Sequence, residues 1–164
     1  MADQKIAYAS SASVGITLAS LGSDTNSLGG RESDVISNAS DLYIDFLLSG
    51  VITTASSGLS NGKSILVYVY SQQTDSPSYG AGITGSDAAL TVASDEVRDA
   101  GLLLAACIST NNTGSTAYSF NSVSIASCFG GSIPQRWGVW VTHDTGAALA
   151  SGTLTYQGIY GTVS

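Results

Sequence analysis

The sequence predicts an all-β fold, an antiparallel β-sandwich of jelly-roll type. Roughly eight to ten short strand-like runs follow one another, and Gly-, Asn- and Ser-rich turns separate them at the spacing typical of sandwiches and barrels. No amphipathic helix of about ten residues can be drawn. A chain of 164 residues suits one domain with a sizeable core. We therefore predict a single domain, in which residues 41–164 form the sandwich.

Residues 1–40 leave two alternatives open, a Ser-, Gly- and Ala-rich N-terminal arm or the first strands of the domain. Residues 6–9 are a candidate short strand, and residues 14–21 alternate as a strand does. If the segment is an arm that adds to the sheet edge of a neighbour, trimming residues 1–20 should abolish docking without unfolding the domain.

The strands of the first half follow from residue alternation and turn signals. Residues 41–48 alternate with period two, which predicts one half-buried strand. The Asn-Gly pair at residues 61–62 is a hairpin signal that leads into residues 64–70. That run is apolar on both faces, so it is either a central strand or a strand with one face against a partner.

The second half contains further strands and one helical turn. Residues 94–98 form the candidate turn, with Ser94 or Asp95 as its cap. Residues 101–109 are predicted to be a buried strand, and residues 117–120 and 123–129 two more. The run at residues 137–142 is rich in aromatic and β-branched residues. A last strand covers residues 152–163.

Charge and cysteine content exclude several classes of protein. Only 10% of the residues are charged and the net charge is −7, so binding to nucleic acid or to an anionic membrane is not expected. A surface this poor in charge suits a protein packed among others in an assembly or one that faces the outside world. The N-terminus lacks the pattern of a secretory signal. Both cysteines lie in strand-like runs, where two buried thiols are favoured over one disulfide.

Motifs that resemble catalytic or phosphate-binding sites have ordinary explanations. The Gly-x-Gly-x-x-Gly pattern at residues 80–85 lacks the preceding strand and following helix of a dinucleotide site. Residues 58–64 are one residue short of a P-loop and are explained by a hairpin turn. Asp144 begins an Asp-Thr-Gly turn, and His143 is the sole histidine. We therefore expect no enzyme, no catalytic residue and no bound cofactor.

Metal binding is also not expected, because the chain has no Cys and His cluster with zinc spacing. Asp41, Asp45 or Asp87 in a loop leaves calcium as a minor alternative. Aromatic residues allow a sugar-stacking face, but Trp137 and Trp140 point to opposite faces of their strand and are expected in the core or a subunit contact.

Several segments over residues 30–160 resemble a family of small virion structural proteins of tailed bacteriophages. They are GRES at residues 30–33, DLYID at 41–45, residues 63–70, GITGSD at 82–87, SIA at 124–126, FGG at 129–131, Pro134, Trp137-Gly138, TGAAL at 145–149 and YQG at 156–158. The resemblance implies a jelly-roll capsid decoration (cement) protein that sits on the outer shell and is often a trimer. It carries no catalytic residue across.

The expectations for function follow from this resemblance. We expect a virion protein, assembled in the host cytoplasm, that binds the major capsid protein and stabilises the shell. A homo-oligomer is expected, with a trimer favoured. Candidate interface residues are Ile6, Tyr8 and Tyr79. The alternatives are a tail, baseplate or fibre component that binds a glycan or host surface, and a hydrolase that uses His143 and Asp144.

Overall fold

The computed structural model describes residues 4–163. These residues form strands separated by short loops and two short helices. The strands are β1 Gln4–Tyr8, β2 Ala12–Ser13, β3 Gly29–Glu32, β4 Ile36–Ser37, β5 Asp45–Thr53, β6 Lys63–Ser71, β7 Ala88–Thr91, β8 Leu103–Thr110, β9 Ala117–Ser124, β10 Arg136–His143 and β11 Ser151–Val163. The helices are α1 Asp95–Gly101 and α2 Ile125–Cys128.

The strands form two antiparallel sheets. In the first sheet the order is β1-β11-β5-β9, and β2 also pairs with β11. In the second sheet the order is β7-β3-β10-β6-β8, and β4 also pairs with β10. The predicted all-β class is therefore confirmed, and the two sheets share one core in a sandwich-like arrangement.

The main core lies between the sheets. Phe46, Leu48 and Ile52 of β5 supply one side, and alternate residues of β6 and β10 supply the other. Trp137 is fully buried, with its ring centroid 5.3 Å from that of Phe46 and 6.0 Å from that of Tyr156. Alternation along each strand thus sends one residue in two into this core.

A second apolar cluster covers the opposite face of the second sheet. Trp140 is fully buried there, and its ring lies 5.6 Å from that of Tyr68. Ile83, Val92 and Leu102 close this cluster from outside the sheet. The prediction that the two tryptophans point to opposite faces is confirmed. The doubly apolar run at residues 64–70 is a central strand, because β6 lies between β10 and β8.

Three local predictions are wrong. β5 begins at Asp45, because Leu42 adopts a left-handed conformation (φ 52°) that interrupts the alternating run. The strand predicted as buried at residues 101–109 is the edge strand β8, with Leu103 and Leu104 exposed. Residues 125–128 form α2 rather than a strand, because the Ser124 hydroxyl accepts a hydrogen bond from the Ser127 amide and caps the helix.

Part of the N-terminal segment belongs to the body of the fold. Val14 and Leu18 are buried in the main core, and the Val14 amide donates to the Leu154 carbonyl. β3 and β4 both pair with β10. Trimming residues 1–20 would therefore remove core side chains, and the expectation that it leaves the domain folded is wrong.

The two thiols are both free. Cys107 is exposed on β8, so the expectation of a buried thiol is wrong there, and Cys128 is half-buried. Burial raises the pKa of the Cys128 thiol. Neither helix of residues 4–163 is long and apolar enough to cross a membrane.

The contact between β3 and β10 leaves no room for a side chain at Gly30. A Cβ atom there would lie 2.5 Å from the Val141 carbonyl oxygen and 2.6 Å from the ring of Trp140. We expect Gly30→Ala to lower the free energy of unfolding by about 1–3 kcal/mol. Urea denaturation measures this change. Gly22→Ala is the control, since no atom lies within 4 Å of its Cβ position; an equal loss in both variants would contradict the steric explanation.

Candidate functional site

The first and last strands form a ribbon that extends past the rest of the first sheet. β1 pairs with the end of β11 from Gln4 opposite Val163 to Tyr8 opposite Ile159. On the other side of β11, pairing with β5 ends where Asp45 meets Ile159. Residues 160–163 therefore have β1 on one side and no strand of the described chain on the other. We call residues 4–8 with 159–163 the terminal ribbon.

The terminal ribbon carries three of the most exposed apolar side chains of the described residues. The exposed fractions are 67% for Ile6, 57% for Tyr8 and 70% for Val163, and beside them 72% for Leu42 and 57% for Ile44. Single exposed apolar residues are ordinary, but a contiguous group on an edge strand is typical of an association surface. Two hollows are lined by four of these residues, Ile6, Val163, Leu42 and Ile44.

The first hollow is a cleft beside the ribbon. It has a volume of about 560 Å³ and is lined by Ala9, Asp41, Leu42, Tyr43, Ile44, Tyr160 and Gly161. The rings of Tyr43 and Tyr160 lie 6.0 Å apart in its wall. The second hollow, of about 420 Å³, is lined by Gln4, Lys5, Ile6, Ile44, Gly161, Thr162 and Val163. Ile44 and Gly161 belong to both hollows.

The wall of the cleft is built by a short, well-bonded turn. The Asn38 side chain donates to the Tyr43 carbonyl and accepts from the Tyr43 amide, at 2.9 and 2.8 Å. The Ile44 amide donates to the Ile159 carbonyl, at 2.8 Å. These bonds hold Leu42 in a left-handed conformation. This conformation is uncommon for residues other than glycine and costs conformational energy.

Aromatic packing makes the cleft rigid. Tyr43 contacts Phe46 edge to face at 5.2 Å, and Phe46 in turn contacts Trp137 in the main core. The Tyr43 ring also lies across Gly158, where a Cβ atom would come within 2.6 Å of it. These contacts connect the wall of the cleft to the main core.

The structure brings two of the three predicted interface residues together. Ile6 and Tyr8 lie on the same face of β1, two residues apart. Tyr79 is half-buried against the second sheet, with its ring 5.4 Å from that of Tyr70. A Cβ atom at Gly85 would come within 2.8 Å of the Tyr79 ring, so this tyrosine packs under the glycine loop.

His143 and Asp144, the residues of the hydrolase alternative, form hydrogen bonds and an ion pair with neighbouring segments. His143 is fully buried; its Nε2 donates to the Leu21 carbonyl, and its Nδ1 lies 2.9 Å from the Thr145 hydroxyl. The carboxylate of Asp144 accepts from the Ser64 amide at 2.7 Å and pairs with Lys63 at 3.1 Å. Both residues thus tie β10 to neighbouring segments.

The glycine-rich loop at residues 80–85 is bound by a carboxylate of the same chain. Glu32 is buried, and its Oε2 accepts from the amides of Thr84 and Gly85, both at 2.8 Å. Its Oε1 accepts from the Thr84 hydroxyl at 2.9 Å. The amides that a phosphate site would offer are therefore occupied, and the GRES and GITGSD segments of the sequence meet here.

The candidate calcium ligands lie in separate networks. Asp45 accepts from the Ala126 amide at 2.7 Å, and Asp87 pairs with Arg31 and accepts from the hydroxyl of Thr17. Burial by itself raises the pKa of Asp87. The hydrogen bonds from Arg31 and Thr17, together with the positive charge of Arg31, outweigh this effect and lower the pKa. Within residues 4–163 no three His, Cys, Asp or Glu side chains are grouped to hold a metal ion.

Sequence reasoning missed most of the surface around the ribbon. The alternation of residues 41–48 predicts a strand that contains Leu42, Tyr43 and Ile44, and no motif points to Tyr160 or Val163. The signal that points to them is the Asn38 turn, because an Asn followed by small polar residues often bonds to its own backbone and ends an extended run.

No protein-family model matches the chain, and no curated protein matches it either.

The buried histidine makes stability depend on pH. Burial lowers the pKa of His143 below its ordinary value of 6.5, so the unfolded chain binds a proton first as the pH falls. This contribution to stability is complete above pH 6.5 and is lost as the pH falls toward the folded-state pKa. We expect the unfolding free energy to fall between about pH 6.5 and 5, and to fall less in His143→Gln. Equal slopes in urea titrations of the two proteins would contradict this.

The buried carboxylate of Glu32 should be essential for holding the glycine loop. Glu32→Gln replaces the carboxylate with a neutral amide, so the hydrogen bonds from the amides of Thr84 and Gly85 lose their charge assistance. We expect the unfolding free energy to drop by about 1–3 kcal/mol and amide exchange in residues 82–87 to accelerate. The control is the exposed Asp75→Asn, for which no loss is expected. An equal unfolding free energy in the two variants would show that the hydrogen bonds to Glu32 do not stabilise the fold.

Proposed function

We propose that the protein is a structural protein of a phage virion, a capsid decoration protein that binds the outer shell and stabilises it. The observation that carries this proposal is the terminal ribbon, an exposed apolar surface built from β1 and the end of β11. The sequence resemblance to small virion proteins of tailed bacteriophages points the same way.

We also propose that the fold is a jelly roll. Numbering the eight long or central strands in chain order gives β1, β3, β5, β6, β8, β9, β10 and β11. The sheets then have the orders 1-8-3-6 and 2-7-4-5. This is the arrangement expected when a long antiparallel hairpin folds over on itself into two Greek keys. β7 is then an addition to the edge of the second sheet.

The proposed mechanism is mechanical. The ribbon, Leu42 and Ile44 dock on the major capsid protein and remove apolar area from water. A site that spans neighbouring capsid subunits exists only on the assembled shell, so binding stabilises that state by mass action. The small number of charges in the chain lowers the cost of desolvating such a contact.

The proposal includes self-association, with a trimer favoured, and a location on the virion. A shell offers three-fold and quasi-three-fold positions, and a trimer placed there presents three ribbons at once. Several weak contacts then combine into one firm attachment, since linked binding events raise the effective concentration of each other.

A second candidate function is favoured by the cleft. Two tyrosine rings, Tyr43 and Tyr160, stand beside the Asp41 carboxylate, and aromatic rings with an acceptor beside them suit a sugar. A tail, baseplate or fibre protein that binds a host glycan would use this cleft rather than Tyr79, which is half-buried. Saturable glycan binding that is lost in Tyr160→Ala supports this candidate over decoration.

Shell binding should depend on the ribbon and not on the other exposed apolar edge. In Ile6→Ser with Tyr8→Ser we expect binding to shells lacking the protein to weaken about tenfold or more. Co-sedimentation with such shells measures this. The matched control is Leu103→Ser with Leu104→Ser on β8, which should bind as the wild type does. Wild-type binding by the ribbon variant, at an unchanged unfolding midpoint, would refute the proposed docking surface.

A further inference from the structure

The cleft beside the terminal ribbon contains a single charged side chain. Asp41 is the only charged residue among the described residues that line it. This residue is exposed, and its carboxylate forms no ion pair within residues 4–163. Its charge reaches the neighbouring rings, since burial first and the Asp41 carboxylate second raise the pKa of Tyr156. The cleft therefore holds a negative charge that the described chain does not neutralise.

Two aromatic rings stand beside this carboxylate. The ring centroids of Tyr43 and Tyr160 are 6.0 Å apart, and the rings are tilted by 49° to each other. Both residues line the cleft and are half-buried, so part of each ring is accessible from it. The face of an aromatic ring is electron-rich and attracts cations. Carboxylate and rings thus favour the same kind of ligand, a positively charged group.

The rest of the lining has no polar side chain. Leu42 and Ile44 are exposed, and Ala9 and Gly161 complete the wall. A sugar in this cleft would leave most of its hydroxyl groups without a side-chain partner, which weakens binding. An arginine side chain has an apolar stem and a planar, charged head that stacks on aromatic rings. The distribution of polar and apolar groups in the cleft therefore fits arginine better than a glycan.

We propose that the cleft binds an arginine side chain of the major capsid protein. The guanidinium group lies against the rings of Tyr43 and Tyr160 and donates hydrogen bonds to the Asp41 carboxylate. The stem of the arginine packs on Leu42. This inference rests on the proposed decoration function and specifies the side chain that the partner contributes to the contact.

The charge of the whole chain supports a cationic partner. The chain has 12 acidic and five basic residues, with a net charge of −7. Arg31, Lys63 and Arg98 pair with carboxylates of their own chain. Lys5, the basic residue of the terminal ribbon, forms no ion pair with Asp41. Charge complementarity thus identifies the occupant of the cleft as a cation from outside the described chain.

The position of the cleft suits an anchor at the centre of an interface. It shares Ile44 and Gly161 with the second hollow, which is also lined by Ile6 and Val163. A shell protein that covers these apolar residues also covers the cleft and excludes water from it. Arginine is enriched among the residues that dominate binding energy in such enclosed pockets. The exclusion of water strengthens the attraction between the guanidinium group and Asp41.

Titration of the isolated protein with a small arginine compound tests the cleft. The compound is N-acetyl-arginine methylamide, and NMR follows the resonances of residues 41–44, 160 and 161. The control is N-acetyl-citrulline methylamide, which has nearly the same shape and no charge. We expect saturable shifts from the arginine compound in the millimolar range, and binding of the citrulline compound at least about fivefold weaker. Added NaCl should weaken only the binding of the arginine compound.

Substitutions in the cleft test the two parts of the site. We expect Asp41→Asn to weaken binding of the arginine compound about fivefold, because the charge is lost. Tyr160→Leu keeps an apolar side chain and removes the ring, and a similar loss is expected. Asp75→Asn removes the same charge from an exposed residue elsewhere and should leave binding unchanged. The thermal unfolding midpoint of each variant shows that it is folded.

Three results would overturn the proposal. One is equal binding of the arginine and citrulline compounds, and another is the absence of shifts at residues 41–44, 160 and 161. The third is saturation of the cleft by a methyl glycoside in a protein that does not bind the arginine compound. That result would assign the cleft to a glycan.

Shell binding by the same variants separates this inference from the function on which it rests. Co-sedimentation with shells lacking the protein should show binding about fivefold weaker in Asp41→Asn than in the wild type. Wild-type shell binding by Asp41→Asn, with binding lost in Ile6→Ser with Tyr8→Ser, would overturn the inference and leave the decoration function intact. Binding of the arginine compound by a protein that does not bind shells would refute decoration and retain the arginine site.

Discussion

The structure depends on the need to cover both faces of the second sheet. β6 and β10 are apolar on each side, with Trp137 directed into the main core and Trp140 directed away from it. The first sheet covers one face, and the segment of residues 72–102 covers the other. Because an exposed aromatic face of that size favours aggregation, the long connection between β6 and β8 is a structural requirement rather than a free loop.

With so few charges, the chain holds its loops by hydrogen bonds to buried or half-buried carboxylates. Glu32 binds the amides of residues 84 and 85, and Asp87 connects Arg31 to Thr17. Asp24 accepts from the amides of Gly29 and Asn26, which lower its pKa. Polar groups that would otherwise seek a ligand are thereby satisfied within the fold. Much of the exposed apolar surface of the described residues lies at and beside the terminal ribbon.

The sequence predicts those strands whose alternation coincides with burial. The residue pattern alone predicts β6, β10 and the opposite directions of the two tryptophans, because all three follow from alternation with period two. The predicted strand starts at residue 41, before the true start of β5 at Asp45, because Leu42 and Ile44 continue the alternation. The turn held by Asn38 places both residues outside the strand. β8 is as apolar as a buried strand, and its edge position is set by sheet order. Ile6 and Tyr8 were identifiable from local sequence, whereas Tyr43 and Tyr160 meet only through tertiary structure.

The terminal ribbon has a kinetic consequence. Gln4 pairs with Val163, so the ribbon joins segments from opposite ends of the described chain. Contacts of such high sequence separation form late, because a long loop must close before they contribute any stability. During synthesis β1 has no partner until β11 has left the ribosome, by which time the strands of the second sheet are complete. The terminal ribbon thus forms last, after the strands that it joins to the rest of the fold are already available.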